Sequence, residues 1–174
     1  RRPEGALGAA DGVAHGFAGD RRGHGGASAQ HRGGVARLPV PIVSVVIGEG
    51  GSGGALALGV CDRLLMLEYS VYSVITPEGC ASILWKDQAQ VEVAASQLKM
   101  TADDLNRLGV TDEIIAEPPG GAHHDLDEAA RRVGEAVARH LADLSALSPS
   151  QLLDGRYAKY RAIGSFIDTA SPPA

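Results

Sequence analysis

The chemistry this chain offers is concentrated in Gly48-Glu49-Gly50-Gly51-Ser52-Gly53-Gly54. Such a stretch brings few side chains and many backbone N–H groups. Val40 to Ile47 precedes it, a short apolar run rich in β-branched residues that reads as a strand buried on both faces. Ala55 to Gly59 follows, small and apolar enough for a tightly packed helix. The glycines are expected to take backbone conformations closed to residues with a Cβ. A turn between a strand and a helix start gathers unpaired N–H groups at one point. Such a point holds negative charge, either a phosphate or a developing oxyanion.

Three chemistries fit these residues. Gly48-x-Gly50-x-x-Gly53 after a strand matches a dinucleotide-binding fingerprint, with Glu68 twenty residues on where a ribose ligand is expected. Gly50-x-Ser52-x-Gly54 matches a nucleophile elbow, with Asp112 and then His123 or His124 in the right order for a triad. Against that reading, Gly-Gly-Ser-Gly-Gly is flexible where an elbow needs a strained, fixed Ser. The third is an oxyanion cradle whose N–H groups hold a carbonyl oxygen while another molecule reacts. Spacing alone does not separate the first reading from the third.

The elements that must position this turn follow from periodicity. A helix is expected from about Gly53 to Cys61, and strands over Arg63–Glu68, Val71–Thr76 and Asp112–Glu117. Pro77 should end the second of these strands. Helices are expected over Glu78–Trp85, Val91–Leu98 and Thr101–Leu108, the last capped by Thr101 and stopped by Gly109. Pro118-Pro119-Gly120-Gly121 closes the last strand. Asp125 then caps an amphipathic helix, with Glu128 at the capping-box position and a stripe of Leu126, Ala130, Val133, Val137 and Leu141. A final helix is expected from Ser150 to Ile163. Buried strands alternating with helices make this an α/β layered fold.

At 174 residues the chain can build one core, and a net charge of −5 gives it no general attraction to nucleic acid or anionic membrane. No apolar run approaches the roughly 20 residues that span a bilayer. No secretory signal is visible, and the missing initiator Met suggests a fragment or processed chain. Cys61 and Cys80 have no metal-like spacing and read as reduced core thiols of a cytoplasmic protein. Glu49 reads as setting the turn rather than acting as a base, and Ser52 as a small residue in a crowded turn.

Three domains are expected. Residues 1–34 are half Gly and Ala, with Arg and His among the rest, and carry no period. They read as low-complexity and disordered, or as GC-rich DNA translated out of frame, with His15, His24 and His31 incidental. Residues 35–164 form the folded domain, and 165–174 a frayed tail.

Ile47-Gly48-Glu49-Gly50-Gly51-Ser52-Gly53-Gly54-Ala55-Leu56-Ala57 resembles a known family. So do Tyr72-Ser73-Val74-Ile75-Thr76-Pro77-Glu78-Gly79-Cys80-Ala81-Ser82-Ile83-Leu84-Trp85-Lys86 and Pro118-x-Gly120-Gly121-Ala122-His123. That family is the carboxyltransferase α subunit of bacterial acetyl-CoA carboxylase, and the resemblance runs from about Val35 to Tyr160. It implies a crotonase/ClpP-like fold of stacked strand–strand–helix units, partial here. It implies transfer of a carboxyl group from carboxybiotin, carried on the biotin carboxyl carrier protein, to acetyl-CoA, giving malonyl-CoA. This is the first committed step of fatty acid synthesis. It implies an α2β2 assembly with a β subunit that carries the zinc, leaving no metal in this chain.

Two oxyanions then need holding, one on the biotin ureido oxygen and one on the thioester. The backbone N–H groups of Gly50, Gly51, Gly53 and Gly54 are the expected hole, with the biotin oxyanion as preferred guest. Gly79 and Cys80 are expected to bind substrate in the same cleft. His123 and His124 read as loop residues, and Trp85 as core or subunit contact. The family's upstream half, with its own strand, loop and helix, has no counterpart before Val35. The chain alone is therefore expected to be poorly stable and inactive as a carboxyltransferase, and a second reading is a truncated, non-catalytic module that only binds the β subunit.

Overall fold

The computed structural model describes residues 33–164. The calls on 1–34 and 165–174, and His15, His24 and His31 with them, lie outside these residues, apart from Gly33 and Gly34. Within them the chain repeats a strand, a second strand and a helix. The first unit is β1 (Val43–Val46), β2 (Glu49–Gly51) and α1 (Ser52–Leu58). The second is β3 (Arg63–Leu67), β4 (Val71–Ser73) and α2 (Pro77–Leu84), extended by a 3-10 turn (Gln88–Gln90), α3 (Val91–Leu98) and α4 (Ala102–Arg107). Then come β5 (Glu113–Ile115), α5 (Leu126–Ser145) and α6 (Pro149–Ala162).

Each unit stacks on the last. β1, β3 and β5 form a parallel sheet in that order, with Val45 opposite Leu65 and Leu67 opposite Ile115. The second strands form a parallel sheet of their own, β2 on β4, with Gly50 opposite Tyr72. Strand β3 is central, and its side chains alternate between two cores. Leu65 and Leu67 point toward α5 and meet Ile115, Ala136, Val133 and Val137. Met66 points the other way, to Ala102, Leu105, Val46 and Tyr72. Leu65 and Met66 are fully buried, so each contributes roughly 2–3 kcal/mol of transfer free energy.

Several expectations are corrected. The first strand is shorter than Val40–Ile47 and only half-buried, with Val40 49% and Ile47 71% exposed. Its composition shows a strand but not its neighbours. Among the described residues β1 is an edge, paired only with β3. The glycine stretch is not all turn, because Glu49–Gly51 is a strand. Strand β4 ends at Ser73, whose hydroxyl bonds Ile75, and Pro77 begins a helix rather than ending a strand.

On α5 the buried stripe is Ala129, Ala136 and Leu144 with Val133 and Val137, while Leu126 is 70% exposed and Ala130 is exposed. Both stripes have helical spacing. They share Val133 and Val137, and Ala129 and Ala136 of the buried one let the helix approach the sheet. The Asp125 cap is present, accepting from Glu128 N–H at 3.0 Å. The return half of the box is replaced by ion pairs from Glu128 to Arg131 and Arg132. Thr101, with Asp104 N–H at 3.3 Å, and Gly109, with φ +72°, punctuate α4 as expected. The α6 cap is a full box between Ser148 and Gln151.

α6 closes the fold through one buried ion pair. Arg156 donates to both oxygens of Asp62 at 2.9 and 2.8 Å, and the two residues are 3% and 4% exposed. The rest of its guanidinium reaches the carbonyls of Val35, Ala36, Leu38 and Val40 at 3.0–3.3 Å. Asp62 also accepts from Ile42 N–H at 2.7 Å. One side chain thus ties the segment entering β1 to the helix that ends the described chain.

Candidate functional site: an uncapped glycine turn

The turn at 48–54 has a geometry that its composition disguised. None of its five glycines has a positive φ; the one residue that does is Ser52, at +58°. The strained position thus belongs to a residue with a Cβ, between extended Gly51 (φ −124°, ψ 153°) and α1. A left-handed non-Gly residue costs about 1–2 kcal/mol. Ser52→Gly is therefore expected to stabilise the chain by up to about 1 kcal/mol, less the glycine entropy cost. Urea denaturation checks this, and an unchanged or lower midpoint would refute the strain.

If φ does not require the glycines, space is the remaining reason. A Cβ on Gly50 would lie 2.7 Å from Tyr72 Cδ2, so packing explains Gly50. A Cβ on Gly48, Gly51, Gly53 or Gly54 would meet nothing within 4 Å. Nothing within the described residues crowds these four. The first turn of α1 also has no side-chain cap and no acidic residue. Among the described residues its N–H groups are left without a side-chain acceptor.

Gly79 and Cys80 lie in the first turn of α2, which packs chiefly on α3. Their N–H groups are taken. Gly79 donates to the Thr76 hydroxyl at 3.1 Å, and Cys80 to the Thr76 carbonyl at 2.9 Å. A Cβ on Gly79 would come within 3.1 Å of Ile75, so close packing accounts for that glycine. The cluster that touches the glycine turn is a different one, centred on Tyr72. Its hydroxyl donates to the Ala55 carbonyl of α1 at 2.6 Å. Burial pushes its pKa up to about 12. Tyr160 does the same beyond α1, donating to the Gly59 carbonyl and accepting from Cys61 N–H. Reading the sequence for reactive groups passed over both tyrosines, because they act on carbonyls rather than on a substrate. The signal was there in Gly50 and Gly59, which leave room for the Tyr72 side chain.

The triad reading loses its acid and base. Asp112 accepts from Leu64 N–H at 2.7 Å and pairs with Lys159. His123 and His124 are exposed in the loop before α5, their rings 4.3 Å apart. Among the described residues, no side chain hydrogen-bonds the Ser52 hydroxyl. Glu68, the expected ribose ligand, is spent on Glu117 N–H at 3.2 Å. Glu49 is exposed, and Trp85 ends α2 at 41% exposure. Cys61 is a buried free thiol, its pKa raised by desolvation, and Cys80 is free and half-buried. Among the described residues, no group of three or more His, Cys, Asp or Glu is placed to hold a metal ion. None of the described helices is long and apolar enough to cross a membrane.

Comparison with known proteins shows the family. The family model "Acetyl co-enzyme A carboxylase carboxyltransferase-like" matches residues 7–164. The chain belongs to that family. Its carboxyltransferase relatives include α subunits from Sorangium cellulosum, 57% identical over 133 residues, and Geobacter metallireducens, 53% identical over 153. These alignments cover 76% and 88% of this chain but 42% and 48% of the relatives. The chain thus spans about half the length of the carboxyltransferase subunits it matches.

Solved structures give the fold. A Pseudomonas malonate decarboxylase hetero-tetramer in complex with coenzyme A superposes with TM-score 0.56 at 23% identity, covering 92% of this chain and 60% of that one. A methylmalonyl-CoA decarboxylase superposes with TM-score 0.50 at 12% identity, covering 82% and 56%. The carboxyltransferase-like chain has the crotonase fold, and its repeating strand–strand–helix units are that fold's units.

Proposed function

We propose that this chain acts as the α subunit of a carboxyltransferase, moving a carboxyl group from carboxybiotin to acetyl-CoA to give malonyl-CoA, in the cytoplasm. The observation that carries the reading is the open, uncapped turn. A Cβ on Gly51, Gly53 or Gly54 would meet only open space, and the first turn of α1 has no side-chain cap for its N–H groups. That is the arrangement a bulky, anionic guest arriving from outside the chain requires. Gly50 joins them as the residue that seats the turn on Tyr72. Backbone N–H groups suit the task because they are fixed dipoles with no proton to lose. Carboxybiotin, bound on its carrier protein, would supply the carboxyl group and leave a ureido oxyanion for these donors to hold. A β subunit in an α2β2 assembly would complete the site and bind the CoA thioester. With their own N–H groups engaged, Gly79 and Cys80 would contribute to substrate binding through the shape of α2.

The reaction run in reverse tests this: malonyl-CoA with biocytin and added β subunit, following acetyl-CoA. Turnover is the expected result. Co-purification with the β subunit but no turnover, beside an active full-length relative, would overturn the reading and leave a binding module.

A further inference from the structure

We propose that Tyr72 is a positioning residue for this site, holding α1 in the pose the glycine turn needs. The proposal rests on the carboxyltransferase reading above and deepens it. α1 is short, starts with two glycines after Ser52, and has no side-chain cap at its N-terminus. Such a helix has little intrinsic stability. Something beneath must fix it, and Tyr72 touches α1 at Ala55 and the residues flanking it at Gly50 and Gly59.

Its ring edge lies under Gly50, directly opposite in the β2–β4 register. Its hydroxyl lies where Gly59, just past α1, would carry a Cβ. Between them the hydroxyl donates to Ala55 O at 2.6 Å, the same carbonyl that receives Gly59 N–H at 2.8 Å. Ala55 is the buried residue of α1, at 2% exposure. Below, Tyr72 is fixed in its turn. Its N–H donates to the Met100 carbonyl at 2.9 Å, and its ring packs on the Met66, Ala102 and Leu105 core. The central core thus reaches the glycine turn through one aromatic side chain.

The hydroxyl decides whether that link is rigid. A cavity of about 200 Å3, lined by Leu56, Leu64, Val110 and Tyr160 among others, lies against the Tyr72 ring. Without its bond to Ala55 the ring has space to move into, and α1 loses its anchor. Because the phenol stays protonated up to about pH 12, it remains a donor throughout the working range.

Tyr72→Phe in the full chain tests this, because it keeps the ring and removes only the donor. Amide hydrogen exchange should rise about tenfold over Leu56–Gly59, the effect of losing one ordinary hydrogen bond. Amides of β3 should be unchanged. In the malonyl-CoA exchange assay with β subunit, kcat should fall about tenfold with KM for malonyl-CoA unchanged, as expected for a misplaced but intact binding surface. Tyr72→Leu, which also loses the ring edge, should exaggerate both effects. If it fails to fold, the Phe variant still decides. Unchanged exchange in α1, or a rise spread evenly over the chain, would overturn the proposal, as would an equal loss through KM. Absence of turnover in the unsubstituted chain would sink the carboxyltransferase reading instead. The exchange result would then judge the hold of Tyr72 on α1 alone.

Discussion

Arg156→Ala should cost about 3–5 kcal/mol of stability, the usual penalty for leaving a buried charge without its partner. Asp62 would keep its position at 4% exposure with only Ile42 N–H to satisfy it. The carbonyls of Val35, Ala36, Leu38 and Val40 would lose the guanidinium as well, although Val35 keeps Leu38 N–H at 3.1 Å. Against a total stability of roughly 5–15 kcal/mol for a domain, this is a large fraction. Asp62→Ala should cost a similar amount by stranding the guanidinium. The double variant should cost much less than the sum, because the second change removes the charge that the first exposed. Urea denaturation midpoints measure all three. Single losses below about 1 kcal/mol, or strict additivity, would show that the pair is not the clamp described here.

Gly53→Ala and Gly54→Ala should move stability and activity in opposite directions. Both residues lie in α1 with negative φ and open space at Cβ. In a helix, alanine is favoured over glycine by roughly 0.5–1 kcal/mol, so the melting temperature should rise. Activity should fall by about 10²-fold, since the new methyl stands where an oxyanion must approach the N–H donors. Gly50→Ala makes the contrast. There the methyl would meet Tyr72 Cδ2 at 2.7 Å, and the variant should lose about 1–3 kcal/mol by overpacking. Calorimetry and the malonyl-CoA exchange assay, run on the same preparations, separate the two classes. Stabilised Gly53 and Gly54 variants with full activity would remove these glycines from the site.

These expectations also mark how far the sequence could be read. Strand and helix types were legible because periodicity and caps are local: Val91–Leu98 is a helix to the residue, and Thr101, Asp125 and Gly109 punctuate as expected. The family was legible in the runs around Gly50 and Gly79. What failed was anything decided by a neighbour distant in sequence. Val40–Ile47 has the composition of a covered strand, but cover depends on what lies beside it, and among the described residues β1 is an edge. α5 has two plausible stripes, and the sheet selects the one with Ala129 and Ala136. In the glycine turn the inference from composition to conformation ran backwards: the left-handed residue is Ser52, and of the five glycines packing explains Gly50. Neither Asp62 nor Arg156 stood out in the sequence, because nothing local in either segment announces the other.

That last pair has a consequence for how the chain is made. The groups that Arg156 grips lie between 94 and 121 positions earlier. During synthesis from the N-terminus, β1, β3 and β5 can all emerge before the side chain that locks the approach to β1 exists. Until α6 is complete, Asp62 has no guanidinium, and β1, an edge among the described residues, is held only by its pairing with β3 and the packing of Val43, Val45 and Val46. An unlocked, apolar parallel edge is a template for pairing with another nascent chain. The ion pair thus acts as a late latch, and the interval before it closes is when this protein is most exposed to misassembly.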